Sequence, residues 1–141
     1  MDGPMSKYFS LPLRVYYEDT DSGGVVYYAN YLKFMERART EWLRSLGFKQ
    51  DELSRRDGIL FVVRSARVEY LKPARFNDQI EVRVVLDRRG PASMVFQQEV
   101  RRGADVLCTG EIKIACVATT GFSPVIMPEH IVSRIDSWSK P

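Results

Sequence analysis

Asp21 stands two residues before the pair Gly23-Gly24 and seven before Tyr28, inside the run Tyr16-Tyr17-Glu18-Asp19-Thr20-Asp21-Ser22-Gly23-Gly24-Val25-Val26-Tyr27-Tyr28-Ala29-Asn30-Tyr31. Acids, a double glycine and an apolar-aromatic stretch thus come directly before a helix-like segment. A glycine turn opening onto a helix leaves several backbone N–H groups without intrahelical acceptors, near the positive end of the helix dipole. A carboxylate beside them completes the parts for acyl transfer. The carboxylate attacks a carbonyl or activates water, and the amides hold the oxygen as it gains negative charge. Three neighbouring acids buried together would raise one another's pKa, so only one of Glu18, Asp19 and Asp21 is expected to point into a pocket. Asp21 is the leading candidate. The plainer role for it is a turn aspartate that accepts from backbone N–H groups.

Other chemistries fall away quickly. The one histidine is His130, in Pro128-Glu129-His130-Ile131, expected at the surface or at a helix start. Ser-His-Asp and Cys-His arrangements would have to be built around that position, and zinc sites of the His-Glu-x-x-His or paired Cys-x-x-Cys type have no ligands. No phosphate-binding Walker loop or dinucleotide glycine fingerprint is present, and Gly121-Phe122-Ser123-Pro124-Val125 lacks the last glycine of a nucleophile elbow. An esterase built on this chain must therefore use a carboxylate, and no metal or redox cofactor is implied.

The elements that position these residues are written in the apolar periodicity. Leu11, Leu13, Val15 and Tyr17 alternate, predicting a first strand over Leu11–Tyr17 with Tyr17 on its apolar face. Tyr31, Met35, Ala38, Trp42 and Leu46 recur every three or four positions and predict a helix from Ala29 to Gly47. Phe34 and Leu43 widen its apolar stripe. A short polar helix is expected near Gln50–Arg56. Period-two alternation then marks four strands, around Ala66–Tyr70, Ile80–Leu86, Met94–Val100 and Val106–Cys116. Lys72–Asp78, Gly90-Pro91 and Gly103–Asp105 are the intervening turns. One strand, one long helix and four consecutive strands is an α+β pattern, with strands on short turns pairing antiparallel and the helix covering the apolar face. One helix on one sheet leaves an edge strand open, so a dimer is expected.

Composition bounds the rest. At 141 residues and 16.2 kDa, 45% hydrophobic and 28% charged, the chain reads as one domain over 11–141, with 1–10 as a flexible arm. No apolar run reaches membrane-spanning length, and Met1–Ser6 lacks the order of a signal peptide, so the cytoplasm is the expected address. Cys108 and Cys116 share one strand, roughly 25 Å apart at full extension, and are expected as reduced buried thiols. Net charge is +3, with arginines outnumbering lysines fifteen to six and no basic run longer than two. That excludes a nucleic-acid signature and is compatible with a phosphate-bearing ligand.

The Tyr16–Tyr31 run resembles the motif of the hotdog-fold acyl-CoA thioesterases, specifically the 4-hydroxybenzoyl-CoA thioesterase group and its relatives associated with the Tol-Pal system. The resemblance continues through Glu36-Arg37-Ala38-Arg39-Thr40-Glu41 and Val68-Glu69-Tyr70-Leu71-Lys72-Pro73-Ala74-Arg75, covering most of residues 11 to 130. It implies a hotdog fold, a curved antiparallel sheet wrapped around one long central helix. It also implies dimers, often associating into tetramers, with active sites at the subunit interface.

For the site, the resemblance implies Asp21 as nucleophile or general base and the backbone N–H of Tyr28 as the group that polarises the thioester carbonyl. The Tol-Pal relatives carry histidine at the Tyr28 position and place a tyrosine near the catalytic aspartate, which Tyr17 matches. Asn30, at the helix start, would cap or line the pocket. Arg64, Arg88 and Arg89, with Arg67 and Lys72, are the candidates for the coenzyme A phosphates, since a planar guanidinium suits phosphate. Glu36 and Glu41 are expected to pair with neighbouring arginines rather than catalyse. The expected activity is hydrolysis of an acyl-CoA, with an acyl carrier protein as a further possible partner. A non-catalytic acyl-CoA or acyl-carrier-protein binding module is the alternative, and a dehydratase is disfavoured because it would need an Asp/His or Glu/His pair and the single histidine lies near the C-terminus.

Overall fold

A computed structural model describes residues 7–140. Five strands form one antiparallel sheet in the order β1-β3-β4-β5-β2, with β1 (Phe9–Arg14), β2 (Ile59–Tyr70), β3 (Gln79–Arg89), β4 (Ser93–Arg102) and β5 (Asp105–Ala118). Helix α1 (Asn30–Ser45) packs on the inner face, followed by α2 (Gln50–Asp57), and α3 (Glu129–Ser139) closes the chain. This is the hotdog arrangement that the order of periodicities predicted.

The long helix forms where its stripe demanded. Tyr31, Phe34, Met35, Ala38, Trp42 and Leu43 are its buried residues, against Val82, Val84, Phe96, Val100 and Ile112 of the sheet. The Met35 side chain of α1 reaches the bare backbone of β5, where a Cβ on Gly110 would lie 2.8 Å from Met35 Sδ. Cys108 and Cys116 are both buried free thiols, and burial pushes Cys108 up to about 12. No helix among the described residues is long and apolar enough to cross a membrane.

Several boundaries differ from the sequence reading. β1 runs over Phe9–Arg14, so Phe9 and Ser10 of the expected arm are strand; residues 1–6 and 141 lie outside the described residues. Tyr17 is not on a strand. Asp19 accepts from the Tyr16 N–H at 2.8 Å and Thr20 Oγ1 donates to the Tyr17 carbonyl, which turns the chain into a short 3-10 helix, Tyr17–Asp19. Tyr17 is left 80% exposed, edge-on to Phe76.

β2 starts at Ile59, because the continuous apolar run Ile59–Val63 shows no alternation to read. Its pairing with β5 shifts between Val63 and Ser65, making Arg64 a bulged extra residue. Helix α3 was not expected as an element, although His130 does lie at its start. Its Ile131 and Ile135 are fully buried, and Arg134 donates to the Leu46 carbonyl just beyond α1.

Candidate active site

The Asp21 turn is closed by its own backbone. Asp21 N–H donates to the Val25 carbonyl, Gly24 N–H donates to the Asp21 carbonyl, and Gly24 takes φ +82°. Gly23 N–H donates to Asp21 Oδ1 at 2.8 Å, while Oδ2 has no protein partner among the described residues. The exposed carboxylate is therefore both cap and candidate reactant, with one oxygen held and one open to solvent.

The chain then passes under the loop that joins β2 to β3. Val26 N–H donates to the Ala74 carbonyl at 2.8 Å, and Val25 bridges Arg75. Helix α1 begins without a side-chain cap at Ala29. Asn30, Tyr31 and Leu32 donate to the carbonyls of Tyr27, Tyr28 and Ala29, whereas among the described residues no backbone carbonyl accepts from the N–H of Tyr28 or Ala29. Two unpaired amides thus lie at the positive end of a sixteen-residue helix. Asn30 Nδ2 donates to the Asp19 carbonyl at 2.9 Å, so this side chain ties the aspartate turn to the helix start.

Tyr28 is exposed, with its ring 4.8 Å from that of Tyr27 and 6.0 Å from that of Tyr70. It lines a cleft of about 260 Å³ with Val26, Tyr31, Tyr70, Leu71, Lys72 and Pro73. Asp21 and Tyr17 are outside that lining, and Tyr17 faces Phe76. Lys72 forms an ion pair with Asp105 at 3.3 Å.

The arginine candidates divide. Arg64 and Arg88 line one groove of about 380 Å³ on the outer face of the sheet, together with Ser65, Ser93, Val95 and Lys113. Arg88 pairs with Asp87 at 3.2 Å, and neither Arg64 nor Lys113 has an ion pair among the described residues. Arg89 points elsewhere: its Nε and Nη2 donate to the two oxygens of Asp136 on α3, at 2.7 and 2.8 Å. Arg67 lies 4.0 Å from Glu111. Glu41 pairs with Arg44 at 2.9 Å, as expected, but Glu36 forms no ion pair among the described residues.

Three residues escaped the sequence reading. Lys113 joins the groove through strand register, which no single strand displays. Tyr70 carries both Tyr28 and Tyr31 against its ring. Gln98 is the sole buried polar side chain of the described residues, and its signal was legible: Met94, Phe96, Gln98 and Val100 share one phase. Among the described residues, no group of three or more His, Cys, Asp or Glu side chains is placed to hold a metal ion.

Residues 23–109 match the thioesterase superfamily. The acyl-CoA thioesterase YbgC of Haemophilus influenzae is 42% identical over 123 residues, covering 87% of this chain and 90% of that protein. The acyl-CoA thioester hydrolase YbgC of Escherichia coli O6:H1 is 42% identical over 127 residues, covering 89% and 94%. The crystal structure of a probable thioesterase from Bartonella henselae superposes with a TM-score of 0.82 at 31% identity, covering 86% of this chain and all of that one. With its carboxylate turn, helix-start amides and hotdog sheet, the chain belongs to the thioesterase superfamily, in its hotdog-fold acyl-CoA thioesterase branch.

Proposed function

We propose that this chain hydrolyses acyl-CoA thioesters, with Asp21 as the reacting carboxylate and the Tyr28 and Ala29 amides as the oxyanion site. The observation that carries this reading is the pairing of an aspartate with one free oxygen and two unpaired N–H groups at the start of α1. A thioester carbonyl has weak resonance, so a carboxylate and two donors suffice. The free Asp21 oxygen takes a proton from a water molecule as that water attacks the carbonyl carbon, or bonds the carbon itself to give a mixed anhydride, which water then cleaves to free the acid and restore the carboxylate. The carbonyl oxygen becomes an anion under the amides, and coenzyme A leaves as its thiolate. Asn30 is a positioning residue that fixes the turn to the helix, and Tyr17 covers the turn beside Phe76.

The coenzyme A phosphates are assigned to the outer groove, where Arg64, Arg88 and Lys113 converge; Arg89 is committed to α3. The working unit is a dimer through β2. That strand pairs on one side only, and Val63–Arg67 are exposed on both faces, so a second copy would cover what α1 does not reach. An acyl group on a carrier protein's pantetheine arm would fit the same cleft. Reduced buried cysteines and a coenzyme A substrate suit the cytoplasm.

Free thiol release from a panel of acyl-CoAs tests the reading. Wild type turns over at least one ester, and Asp21→Asn, whose amide oxygen still accepts from Gly23, loses on the order of 10²- to 10⁴-fold in kcat. Wild type binding acyl-CoA without releasing thiol would instead establish the binding-module alternative.

A further inference from the structure

The interior holds one aromatic donor with nothing to donate to. Trp42 is 1% exposed, and its indole Nε1 has no hydrogen-bond partner among the described residues. A buried unpaired N–H carries its full desolvation penalty, and native folds keep few of them. Trp42 lines a cavity of about 180 Å³ between α1 and the inner face of the sheet, walled by Leu43, Phe61, Val63 and Phe96. An apolar cavity of about 150 Å³ holds a benzene-sized guest, so this space accommodates a short acyl chain.

Arg39 lies one helical turn before Trp42 on the same face and lines the same cavity. A guanidinium offers five N–H donors. One hydrogen bond engages it here, from Nη1 to Gln98 Oε1 at 2.8 Å, and Gln98 Nε2 donates in turn to the Met35 carbonyl. Among the described residues no carboxylate forms an ion pair with it, although Glu36 on the exposed rim contributes a favourable field. Burial lowers Arg39 to about 10, which leaves it cationic at neutral pH. The cavity therefore presents a positive charge and a buried indole N–H among apolar walls, with Glu36, Thr40 and Gln50 completing its lining.

We propose that this cavity binds the far end of the acyl group and takes a carboxylate there, so that the preferred substrates are coenzyme A thioesters of short dicarboxylic acids. A carboxylate supplies Arg39 with a contacting ion-pair partner and Trp42 with an acceptor in one group. The route from the thioester rests on the acyl-CoA reading and its dimer. In a two-fold dimer the twelve-residue edge strand pairs antiparallel with its own copy, and full overlap sets the Tyr70 end of one β2 beside the Ile59 end of the other. The Tyr28 cleft of one protomer then adjoins the Phe61 and Val63 wall of the other's cavity.

The test has two arms, with glutarate, glutaryl-CoA and pentanoyl-CoA as probes. In the catalytic arm, wild type favours glutaryl-CoA over pentanoyl-CoA in kcat/KM. Arg39→Gln lowers that preference about 10- to 100-fold, the worth of a charge-assisted hydrogen bond. Arg39→Lys restores part of it. Equal loss on both esters, or a wild-type preference for pentanoyl-CoA, overturns the assignment.

The binding arm needs no catalysis. The chain has two tryptophans, so in Trp138→Phe the indole emission comes from Trp42 alone. Glutarate should shift that emission saturably, and the added Arg39→Gln should abolish the shift. No saturable change overturns the subsite even where thiol release is normal. Saturation with an unchanged ester preference overturns the substrate class, leaving a site for free anions. An enzyme that releases no thiol but binds glutarate refutes the hydrolytic reading and leaves the anion pocket standing.

Discussion

The Tyr31 phenol accepts the Ala74 N–H at 3.0 Å in a buried setting, while the Ala74 carbonyl accepts from Val26. One residue of the β2–β3 loop is thereby clamped between the first turn of α1 and the segment leaving the aspartate turn. Burial raises the Tyr31 pKa, so the phenol stays uncharged in this setting while its oxygen lone pair accepts the amide. Tyr31→Phe keeps the ring but orphans a buried amide, and should cost about 1–3 kcal/mol. Urea midpoints of the two proteins measure it, and a loss below about half a kcal/mol would show that the amide finds another acceptor.

Tyr28→Phe should keep most of the wild-type kcat. The proposed oxyanion donor is a backbone amide, and phenylalanine preserves the ring contacts with Tyr27 and Tyr70. Tyr28→His should be tolerated for the same reason. A loss beyond about tenfold in Tyr28→Phe, with unchanged circular dichroism, would transfer the role to the phenol itself.

Arg89 and Asp136 form a two-pronged pair between β3 and α3, and hydrogen bonding from Arg89 holds the Asp136 carboxyl below its ordinary value of 3.8. A depressed carboxylate contributes stability above its unfolded pKa and loses it as pH falls through the folded one. The melting-temperature gap between wild type and Arg89→Ala should thus be full at neutral pH and close in acid below 3.8. Because both partners are partly exposed, the gap corresponds to about 1 kcal/mol or less. The KM for acyl-CoA should not change in this variant. A clear KM increase would return Arg89 to the phosphate site.

Light scattering at micromolar concentration should give a dimer or a tetramer. Val63→Lys, at a residue 53% exposed on the open strand, should shift the assembly toward monomer and lower turnover with it. An active wild-type monomer would refute both the strand-edge interface and the shared cleft.

The parts legible in the sequence were those whose signal lies within one element. The three-and-four spacing of Tyr31, Met35, Ala38 and Trp42 located α1, since one face of that helix is buried and the other wet. The glycine turn after Asp21 was equally plain. Ile59–Val63 hid its strand because an unbroken apolar run carries no period. The outer groove was legible only in part: Arg64 and Arg88 stood among the candidates, but their convergence with Lys113 did not. Arg88 opposes Val95, Val95 opposes Lys113, and Lys113 opposes Ser65, so the groove is one row across four strands. Such a row exists only after register is set. The Arg39–Gln98 contact joins residues 59 apart in sequence, and depends on how the helix lies over the sheet.

The bulge at Arg64 reverses the parity of β2 partway along its length. Before it, odd-numbered Phe61 and Val63 look toward α1; after it, even-numbered Tyr70 does so, meeting Tyr28 and Tyr31. A strand without the extra residue would send one of these groups to the opposite surface. Deleting Arg64 should therefore preserve either the tyrosine cleft or the Trp42 cavity wall, but never both, and a single inserted residue is what lets one strand furnish two pockets on the same side of the sheet.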